Sequence, residues 1–375
     1  MKDKLRVLWV TNAFGCGGAE RQLLYMYNIL KNNRNIEISV IYYAHVADEL
    51  NLDGINVTYI DKKSVGKIAT IRMIREYIKT HDIDIMHALG GCSANIYGRG
   101  GAMFTKAVSI GAVVGQHNFD ALPVRIVNSI LNLRGDWWTV NNEALVPILR
   151  EKLALVRKKK IKLMRNGFVP ADKIDYKQTE ITEYDLDKGD NIVFSVVGRL
   201  HPVKNYGLFI SAAHEVLKKH ENVRFWIIGN GEEHEKLLKL AMEYGIEQYI
   251  KFWGYRTDID VALNRTDVFV QTSFTEGSPN SIAEAMRAGK PVISTRSTDL
   301  SEMIHEGKNG YVVPVGDTDA LAEGMKKMVS FSPDAREEMG KYSQKLFATY
   351  FLDEAVASAY TSFYTEVMQI RGGKK

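Results

Sequence analysis

Two carboxylates stand eight residues apart in the segment Glu276-Gly-Ser-Pro-Asn-Ser-Ile-Ala-Glu284. Ser278 is a candidate N-cap and Pro279 suits the first position of a helix, so a helix is predicted to begin here. The start of a helix offers backbone N–H groups and the positive end of a dipole, which favour an anion. Acids beside an anion suit hydroxyl groups better than phosphate, because like charges repel. A nucleotide-sugar, with a central diphosphate and hydroxyls at both ends, fits this pattern.

Two cations follow a predicted strand in the segment Gly198-Arg-Leu-His-Pro-Val-Lys204-Asn205. Arg199 offers a forked donor for phosphate, and Lys204 offers a compact charge. Ligands bind at the carboxyl ends of parallel strands, so both cations are candidates for the diphosphate. The alternative is that they are two solvated surface cations.

The first half of the chain supplies two further candidates. His117 lies in Gln116-His117-Asn118 at the end of a predicted strand, where it could hydrogen-bond the sugar; the alternative is a structural histidine. Gly17 and Gly18 follow the first strand and would let the backbone approach a sugar or phosphate closely. Glu20 replaces the third glycine of the dinucleotide fingerprint, which argues against NAD.

Three Asp-x-Asp pairs could in principle hold a divalent metal on a diphosphate. Two of them, Asp258/Asp260 and Asp317/Asp319, precede helical patterns where carboxylates cap helices, and Asp82/Asp84 opens a strand. All three are interpreted as structural, and the two cysteines lack metal-ligand spacing. No metal and no other cofactor is therefore predicted.

Strand and helix patterns alternate along two stretches of the chain. This alternation predicts an α/β protein with two doubly wound parallel-sheet domains. The predicted parts are a first domain (1–170), a polar, acidic linker (171–190), a second domain (191–351) and a final helix within 352–375 that packs back on the first domain. The predicted strands are 5–11, 37–43, 57–60, 83–87, 112–116, 137–140, 161–165, 192–197, 223–228, 250–252, 268–271, 291–294 and 311–313.

Charge is divided unevenly along the 375 residues. Residues 1–170 hold 24 Lys and Arg against 14 Asp and Glu, while the whole chain carries only +4. The basic run Arg157–Lys160 and the stripe of Arg72, Arg75 and Lys79 could rest on anionic lipid, or could be solvated surface. No apolar run is long enough to span a bilayer and no secretory signal is recognised, so a cytoplasmic protein is expected, with peripheral contact at the inner face of the plasma membrane as one option.

An ordered set of motifs covers nearly the whole chain. It resembles the retaining GT-B glycosyltransferases of family 4, most of all bacterial enzymes that build surface polysaccharide or lipid-linked oligosaccharide. The motifs are Gly17-Gly18-Ala-Glu-Arg, Asn166-Gly167, Val197-Gly198-Arg199 with Lys204-Asn205, Ile228-Gly-Asn-Gly231, Phe252-Trp-Gly254-Tyr255, the Glu276/Glu284 pair with Gly289-Lys-Pro291, Glu302 and Asn309-Gly310.

The resemblance implies two Rossmann-like domains facing a central cleft, and a role for each motif residue. Arg199 and Lys204 would bind the diphosphate, Glu276 a sugar hydroxyl and Glu284 the ribose. The other implied donor contacts are the loop residue Gly277, the helix N–H groups of Asn280 and Ser281, Tyr255 at the nucleobase, and His117, Gly17 and Gly18 at the donor sugar.

The implied reaction is retaining, metal-independent transfer of a hexose or N-acetylhexosamine from a nucleotide-sugar, with UDP favoured over GDP. The implied acceptor is a glycan or a polyprenyl-diphosphate-linked glycan, and nucleic acid is not expected as a partner. Two alternatives share the architecture: a nucleotide-sugar epimerase and a non-catalytic nucleotide-sugar-binding protein.

Overall fold

The structure is a computed structural model that describes residues 4–13, 18–44, 52, 54–115, 119–134, 137–157, 160–174 and 183–372. The chain forms two compact units. The first unit comprises residues 1–168 and 353–375, and the second comprises residues 169–352.

The first unit is an α/β unit with seven strands. Its strands are β1 (Leu5–Thr11), β2 (Ile36–Tyr42), β3 (Val57–Tyr59), β4 (Ile85–Ala88), β5 (Val108–Val113), β6 (Trp137–Val140) and β7 (Ile161–Leu163). Its helices are α1 (Gly18–Leu30), α2 (Lys62–Val65), α3 (Lys67–Thr80), α4 (Gly91–Ala102), α5 (Leu122–Leu131), α6 (Leu145–Lys152) and α14 (Asp353–Gly372).

The second unit repeats this plan with six strands. Its strands are β8 (Ile192–Val197), β9 (Val223–Ile228), β10 (Ile250–Gly254), β11 (Val268–Gln271), β12 (Val292–Thr295) and β13 (Gly310–Val313). Its helices are α7 (Glu183–Lys188), α8 (Tyr206–Leu217), α9 (His234–Glu243), α10 (Ile259–Arg265), α11 (Asn280–Arg287), α12 (Thr318–Ser330) and α13 (Pro333–Tyr350).

Both sheets are doubly wound. Their strand orders are β3-β2-β1-β4-β5-β6-β7 and β10-β9-β8-β11-β12-β13, and the neighbouring strands pair in parallel. In each sheet the strand order reverses at one place, between β1 and β4 and between β8 and β11. Loops at the carboxyl ends of strands beside such a switch point leave a crevice for ligands. The predicted α/β class with two parallel sheets is confirmed.

One predicted strand is misplaced. The prediction put a strand at 112–116, whereas β5 spans Val108–Val113 and pairs with β4 and β6. Ser109 and Gly111 interrupt the apolar run in the sequence, yet Ser109 is buried and Gly111 packs under the Trp138 ring, where a Cβ would lie 2.6 Å from a ring carbon. Burial by tertiary neighbours thus decides the strand here.

The sequence predicts that segment 171–190 is a linker, but the structure forms a helix within it. It contains α7, whose Tyr184 is buried with its ring 4.5 Å from that of Trp253 and 5.3 Å from that of Trp226. Asp187 also accepts a hydrogen bond from Trp226 Nε1 at 2.6 Å. Because this helix is rich in acidic residues, its sequence did not indicate that it packs against the rest of the second unit.

The helix α14 completes the core of the first unit. Val356, Phe363 and Val367 pack among the buried side chains of β1 and β2. None of the described helices combines the length and apolar composition needed to cross a bilayer.

A buried hydrogen-bond chain ties α14 to the first sheet. Trp9 Nε1 donates to Tyr364 Oη at 2.9 Å, and Tyr364 Oη lies 2.9 Å from His87 Nδ1. The other ring nitrogen of His87 lies 2.9 Å from Thr139 Oγ1. Because the indole can only donate, every group is satisfied when Tyr364 donates to Nδ1 and His87 Nε2–H donates to Thr139. His87 is thus neutral, and burial lowers its pKa to about 3.

Because His87 is buried and neutral, we expect the free energy of unfolding of the protein to fall in acid. The unfolded chain takes up a proton on His87 below its ordinary pKa of about 6.5, whereas the folded chain does not, so stability falls as the pH falls. We expect His87 to account for about 2 kcal/mol of unfolding free energy lost between pH 7 and pH 5. Urea unfolding of the wild type and of His87→Gln measures this contribution, because the variant should lose less stability. His81→Gln, at an exposed histidine, is the control; equal acid losses in wild type and His87→Gln would refute the assignment.

Candidate functional site

The candidate site lies at the switch point of the second sheet. The loop after β8 carries Arg199 and Lys204, and the loop after β11 carries Glu276. Because β8 and β11 are adjacent and parallel, these loops leave the same edge of the sheet. The topology therefore brings the predicted cations to the predicted acid.

The loop after β8 is packed backbone to backbone against the loop after β9. Leu200 N donates to Asn230 O at 2.9 Å. A Cβ on Gly229 would lie 1.9 Å from Gly198 O, and one on Gly231 would lie 2.3 Å from Leu200 O. The glycines of the motif Ile228-Gly-Asn-Gly231 are thus required by this close approach, which fixes the path of the chain next to Arg199.

The loop after β11 forms hydrogen bonds with the backbone of Val203 and Lys204. Phe274 N donates to Val203 O at 2.8 Å, and Thr272 Oγ1 donates to Lys204 O at 2.7 Å. Asn205, the next residue, adopts a left-handed backbone with φ 50°. The backbone of Lys204 is thereby fixed relative to Glu276.

An ion pair forms the centre of the site. Lys204 Nζ lies 2.6 Å from Glu276 Oε1, and these side chains are only 25% and 13% exposed. The same oxygen accepts from Ser273 Oγ at 2.6 Å and lies 3.5 Å from Gln271 Nε2. Taking charges out of water is costly unless they are paired and hydrogen-bonded, as they are here. An ammonium has three donors, so Lys204 can also bind an anion.

Tyr206 lies beneath this ion pair. Its hydroxyl is buried without a hydrogen-bond partner among the described residues, and it would lie 2.8 Å from a Cβ on Gly198. Burial, and secondarily the charge of Glu276, raise the pKa of Tyr206. The phenol therefore stays neutral and restricts position 198 to a small residue.

Arg199 lies at the exposed side of the site. Its guanidinium is 71% exposed and donates from Nη2 to Glu232 Oε2 at 3.2 Å. His201 Nε2 is 3.6 Å from the other oxygen of Glu232. Arg199 therefore presents an accessible fork of donors, of which Glu232 orients one side.

The helix α11 begins one residue later than predicted. Pro279 is the N-cap residue rather than the first helical residue, and Ser278 precedes it. Pro279 makes no side-chain capping hydrogen bond, because proline has no side-chain oxygen. Asn280 and Ser281 occupy its first turn and Glu284 its second, while Gly277 O accepts from Thr298 Oγ1 at 3.3 Å.

The remaining predicted residues belong to other elements or fall outside the described residues. Tyr255 follows β10 and is 47% exposed. Gly18 begins α1 in the first unit. Gly17 and His117 lie outside the described residues, so their predicted roles stay predictions.

Each of the three Asp-x-Asp pairs includes an aspartate that makes a structural contact. Asp258 accepts two bonds from Arg256, each 2.9 Å long, and Asp317 caps α12 by accepting from Ala320 N at 2.9 Å. Their neighbour Asp260 pairs with Arg287. In the first unit Asp84 accepts from Arg6 N at 3.0 Å. Among the described residues, no group of three or more His, Cys, Asp or Glu is arranged to hold a metal ion.

Sequence reasoning missed the side chains that support the ion pair. Ser273, Gln271 and Tyr206 belong to ordinary-looking runs of strand, loop and helix. One signal was available, because Ser273 and Gln271 lie within five residues of Glu276 and alternate along the end of a strand.

The known proteins that this chain resembles are glycosyltransferases. Residues 177–346 match the family model of Glycosyl transferases group 1. Two curated relatives are lipopolysaccharide core biosynthesis glycosyltransferases of Rhizobium meliloti, LpsE and LpsD. LpsE is 32% identical over 39% of this chain and 43% of its own length. LpsD is 29% identical over 47% of this chain and 50% of its own length. The matches thus span about half of these relatives.

A solved structure matches over more of the chain. The crystal structure of Anabaena HepE in complex with UDP has a TM-score of 0.84 and 19% identity, and the match covers 96% of this chain and all of that one. HepE has also been solved with UDP-glucose, with a TM-score of 0.80. This likeness establishes the fold, and the predicted GT-B class is confirmed.

The ion pair predicts a measurable energetic coupling. Because both side chains are largely withdrawn from solvent, removing one partner leaves the other charge poorly compensated. A double-mutant cycle with Lys204→Met and Glu276→Gln should give a coupling of about 1–3 kcal/mol in chemical unfolding. The exposed pair Lys341 and Glu338 serves as the control and should couple far more weakly. Additive effects of Lys204→Met and Glu276→Gln would show that the pair does not support this loop.

Proposed function

We propose that this protein, whose residues 177–346 form a group 1 glycosyltransferase domain on a GT-B fold, transfers a sugar from a nucleotide-sugar donor. The observation that carries the proposal is the contact of Lys204 with Glu276 at the switch point of the second sheet. There a cation and an acid occupy the place where α/β proteins bind ligands. Such a pair suits a donor with both phosphate and hydroxyl groups.

The diphosphate of the donor would bind between the two cations and the start of α11. Lys204 is held by Glu276 and has further N–H donors, while Arg199 supplies an exposed fork. Asn280 and Ser281 lie in the first turn of a helix whose dipole favours an anion. Gly277 precedes that turn and, because it has no side chain, would let the protein backbone approach the ligand closely.

The acids would hold hydroxyls on either side of the diphosphate. Glu276 would bind a hydroxyl of the transferred sugar. Glu284, in the second turn of α11, would bind the ribose. Tyr255, half exposed after β10, would contact the nucleobase. Gly17, Gly18 and His117 of the first unit would contact the donor sugar, as the sequence predicts.

The chemistry follows from the leaving group. When the bond between the anomeric carbon and the phosphate oxygen breaks, the diphosphate takes the electron pair and gains negative charge. Lys204 and Arg199 favour this separation, since fixed donors aimed at developing charge often contribute most to the rate enhancement of an enzyme. We infer that the oxygen of the acceptor hydroxyl bonds to the anomeric carbon on the same face, while its proton passes to the departing phosphate oxygen. The two cations and the dipole of α11 would stabilise the leaving group without a metal ion.

UDP is the favoured nucleotide, and the favoured sugar is a hexose or N-acetylhexosamine. Support comes from Anabaena HepE, which shares the fold and has been solved with UDP and with UDP-glucose. The acceptor would be a glycan or a lipid-linked glycan of the cell surface. Support for this comes from the Rhizobium relatives named for lipopolysaccharide core biosynthesis.

The diphosphate assignment predicts a large loss of turnover on removing either cation. Arg199→Ala and Lys204→Ala should each lower kcat at least about tenfold, because each removes stabilisation of the leaving group. Turnover is measured as nucleotide release from a panel of UDP- and GDP-sugars, with circular dichroism to check folding. Lys218→Ala, which removes an exposed cation of the same unit, is the control. Near-normal turnover in both site variants would exclude the assignment.

The same-face transfer predicts retention of configuration. The product should have the anomeric configuration of the donor, because the acceptor oxygen bonds to the same face of the anomeric carbon that the diphosphate leaves. Proton NMR of the glycoside product measures this configuration. Inverted product would rule out the proposed transfer. A donor sugar that changes identity without an acceptor would instead identify an epimerase.

A further inference from the structure

The helix α5 turns its polar side chains to the interior of the first unit. Asn128, in α5, and Asn132, just after it, are buried. Asn128 Oδ1 accepts from Nη1 of the fully buried Arg99 at 3.0 Å, and Asn132 Oδ1 accepts from Nη2 at 2.6 Å. A helix on the surface of a globular protein normally buries its apolar side instead. This helix therefore buries the polar Asn128 together with Leu131 and leaves several of its apolar side chains exposed.

The outer side of α5 is a stripe of large apolar side chains. Leu122, Ile126 and Ile130 recur every four residues and so lie on one face, and Leu133 follows in the next turn. Their exposed fractions are 61, 51, 55 and 73%. Contiguous apolar surface of this kind on a soluble unit marks an interaction site more often than chance.

Phe104 extends this stripe at the end of α5. Arg134, next to Leu133, donates to Ala102 O and Ala107 O, which holds the turn carrying Phe104 close to that end. The Phe104 side chain is 83% exposed although its backbone has φ 60°, an unfavourable conformation for a bulky residue.

Leu155 extends the stripe in the same way. Asn132 Nδ2 donates to Ala154 O at 2.8 Å, and Ala154 N donates to Ser129 Oγ at 3.1 Å. Leu155 is 59% exposed and has φ 65°. The fold thus tolerates backbone strain where it holds two large apolar side chains outward. We call these six side chains the apolar cluster: Phe104, Leu122, Ile126, Ile130, Leu133 and Leu155.

Cations are interleaved with the apolar cluster. Exposed Lys106 follows Phe104 by two residues, and exposed Arg157 follows Leu155 by two residues. Residues 100–162, which contain the whole cluster, hold 10 Lys and Arg against 4 Asp and Glu. Exposed apolar side chains with cations beside them are complementary to a surface that is apolar just below a layer of negative charge.

We propose that the apolar cluster inserts into the headgroup region of an anionic lipid bilayer while the surrounding cations contact lipid phosphates. The apolar side of a surface helix can enter the boundary of the acyl chains, and each Lys or Arg near an anionic membrane adds to the attraction. The purpose of this contact rests on the proposed function, because a lipid-linked acceptor would lie at that membrane. Vesicle binding itself needs no turnover.

The test is co-sedimentation with vesicles of phosphatidylethanolamine and phosphatidylglycerol, compared with vesicles of phosphatidylcholine alone. The wild type should bind the anionic vesicles, and the double variant Ile126→Ser/Ile130→Ser should bind them at least about tenfold more weakly. Both isoleucines are exposed, so folding should be retained. Met242→Ser/Ile370→Ser, at exposed apolar positions of α9 and α14, is the matched control and should bind like the wild type.

Other outcomes would overturn the proposal. Equal binding of Ile126→Ser/Ile130→Ser and wild type to anionic vesicles would mean that the cations act without the apolar cluster. Failure of the wild type to bind either vesicle, with self-association in the ultracentrifuge that the serine variant abolishes, would assign the cluster to a second copy of the chain. Failure to bind without self-association would also reject lipid as the occupant. Donor hydrolysis by the serine variant reports separately on the proposed function.

Discussion

A charge that leaves water must find a partner, and in the second unit this requirement organises the whole candidate site. Lys204 and Glu276 belong to loops that are far apart in the chain but follow adjacent strands. Their contact is partly withdrawn from solvent. Ser273 holds the Glu276 carboxylate, and bonds from Phe274 N to Val203 O and from Thr272 Oγ1 to Lys204 O join the two loops. The pair therefore presents a lysine that is oriented in advance of any ligand, which is the property that catalysis on a leaving group needs.

The sheet beneath that pair is the part of the fold that the sequence predicts best. β8, β9 and β11 are short apolar runs that a parallel sheet buries on both faces, and their predicted bounds equal the observed ones. Prediction failed where burial did not show in composition. Gly111 and Ser109 hid the start of β5, and the acids around Tyr184 hid α7. The burial of Asn128 and Asn132 could not be predicted either, because both accept hydrogen bonds from Arg99 on another helix.

The candidate site was predictable as a set of residues but not as a set of contacts. Lys204 and Glu276 stand out by type and position. Their pairing depends on loop paths that Gly229, Gly231 and Asn205 determine through close packing and a left-handed backbone. The supporting residues Ser273 and Tyr206 carry no distinctive pattern, since a serine in a loop and a tyrosine in a helix are common. The start of α11 was missed by one residue, within the usual uncertainty of helix ends.

The discontinuity of the first unit has a consequence for how the protein is made. Its core includes Tyr364 and Phe363, which the ribosome adds long after β1 and β4 have emerged, whereas residues 169–352 are contiguous. During translation the second unit can therefore close its own core before the first unit receives its last helix. Until then Trp9 and His87 lack the phenol that joins them. The nascent first unit therefore stays incompletely packed until its last helix, α14, has been synthesised.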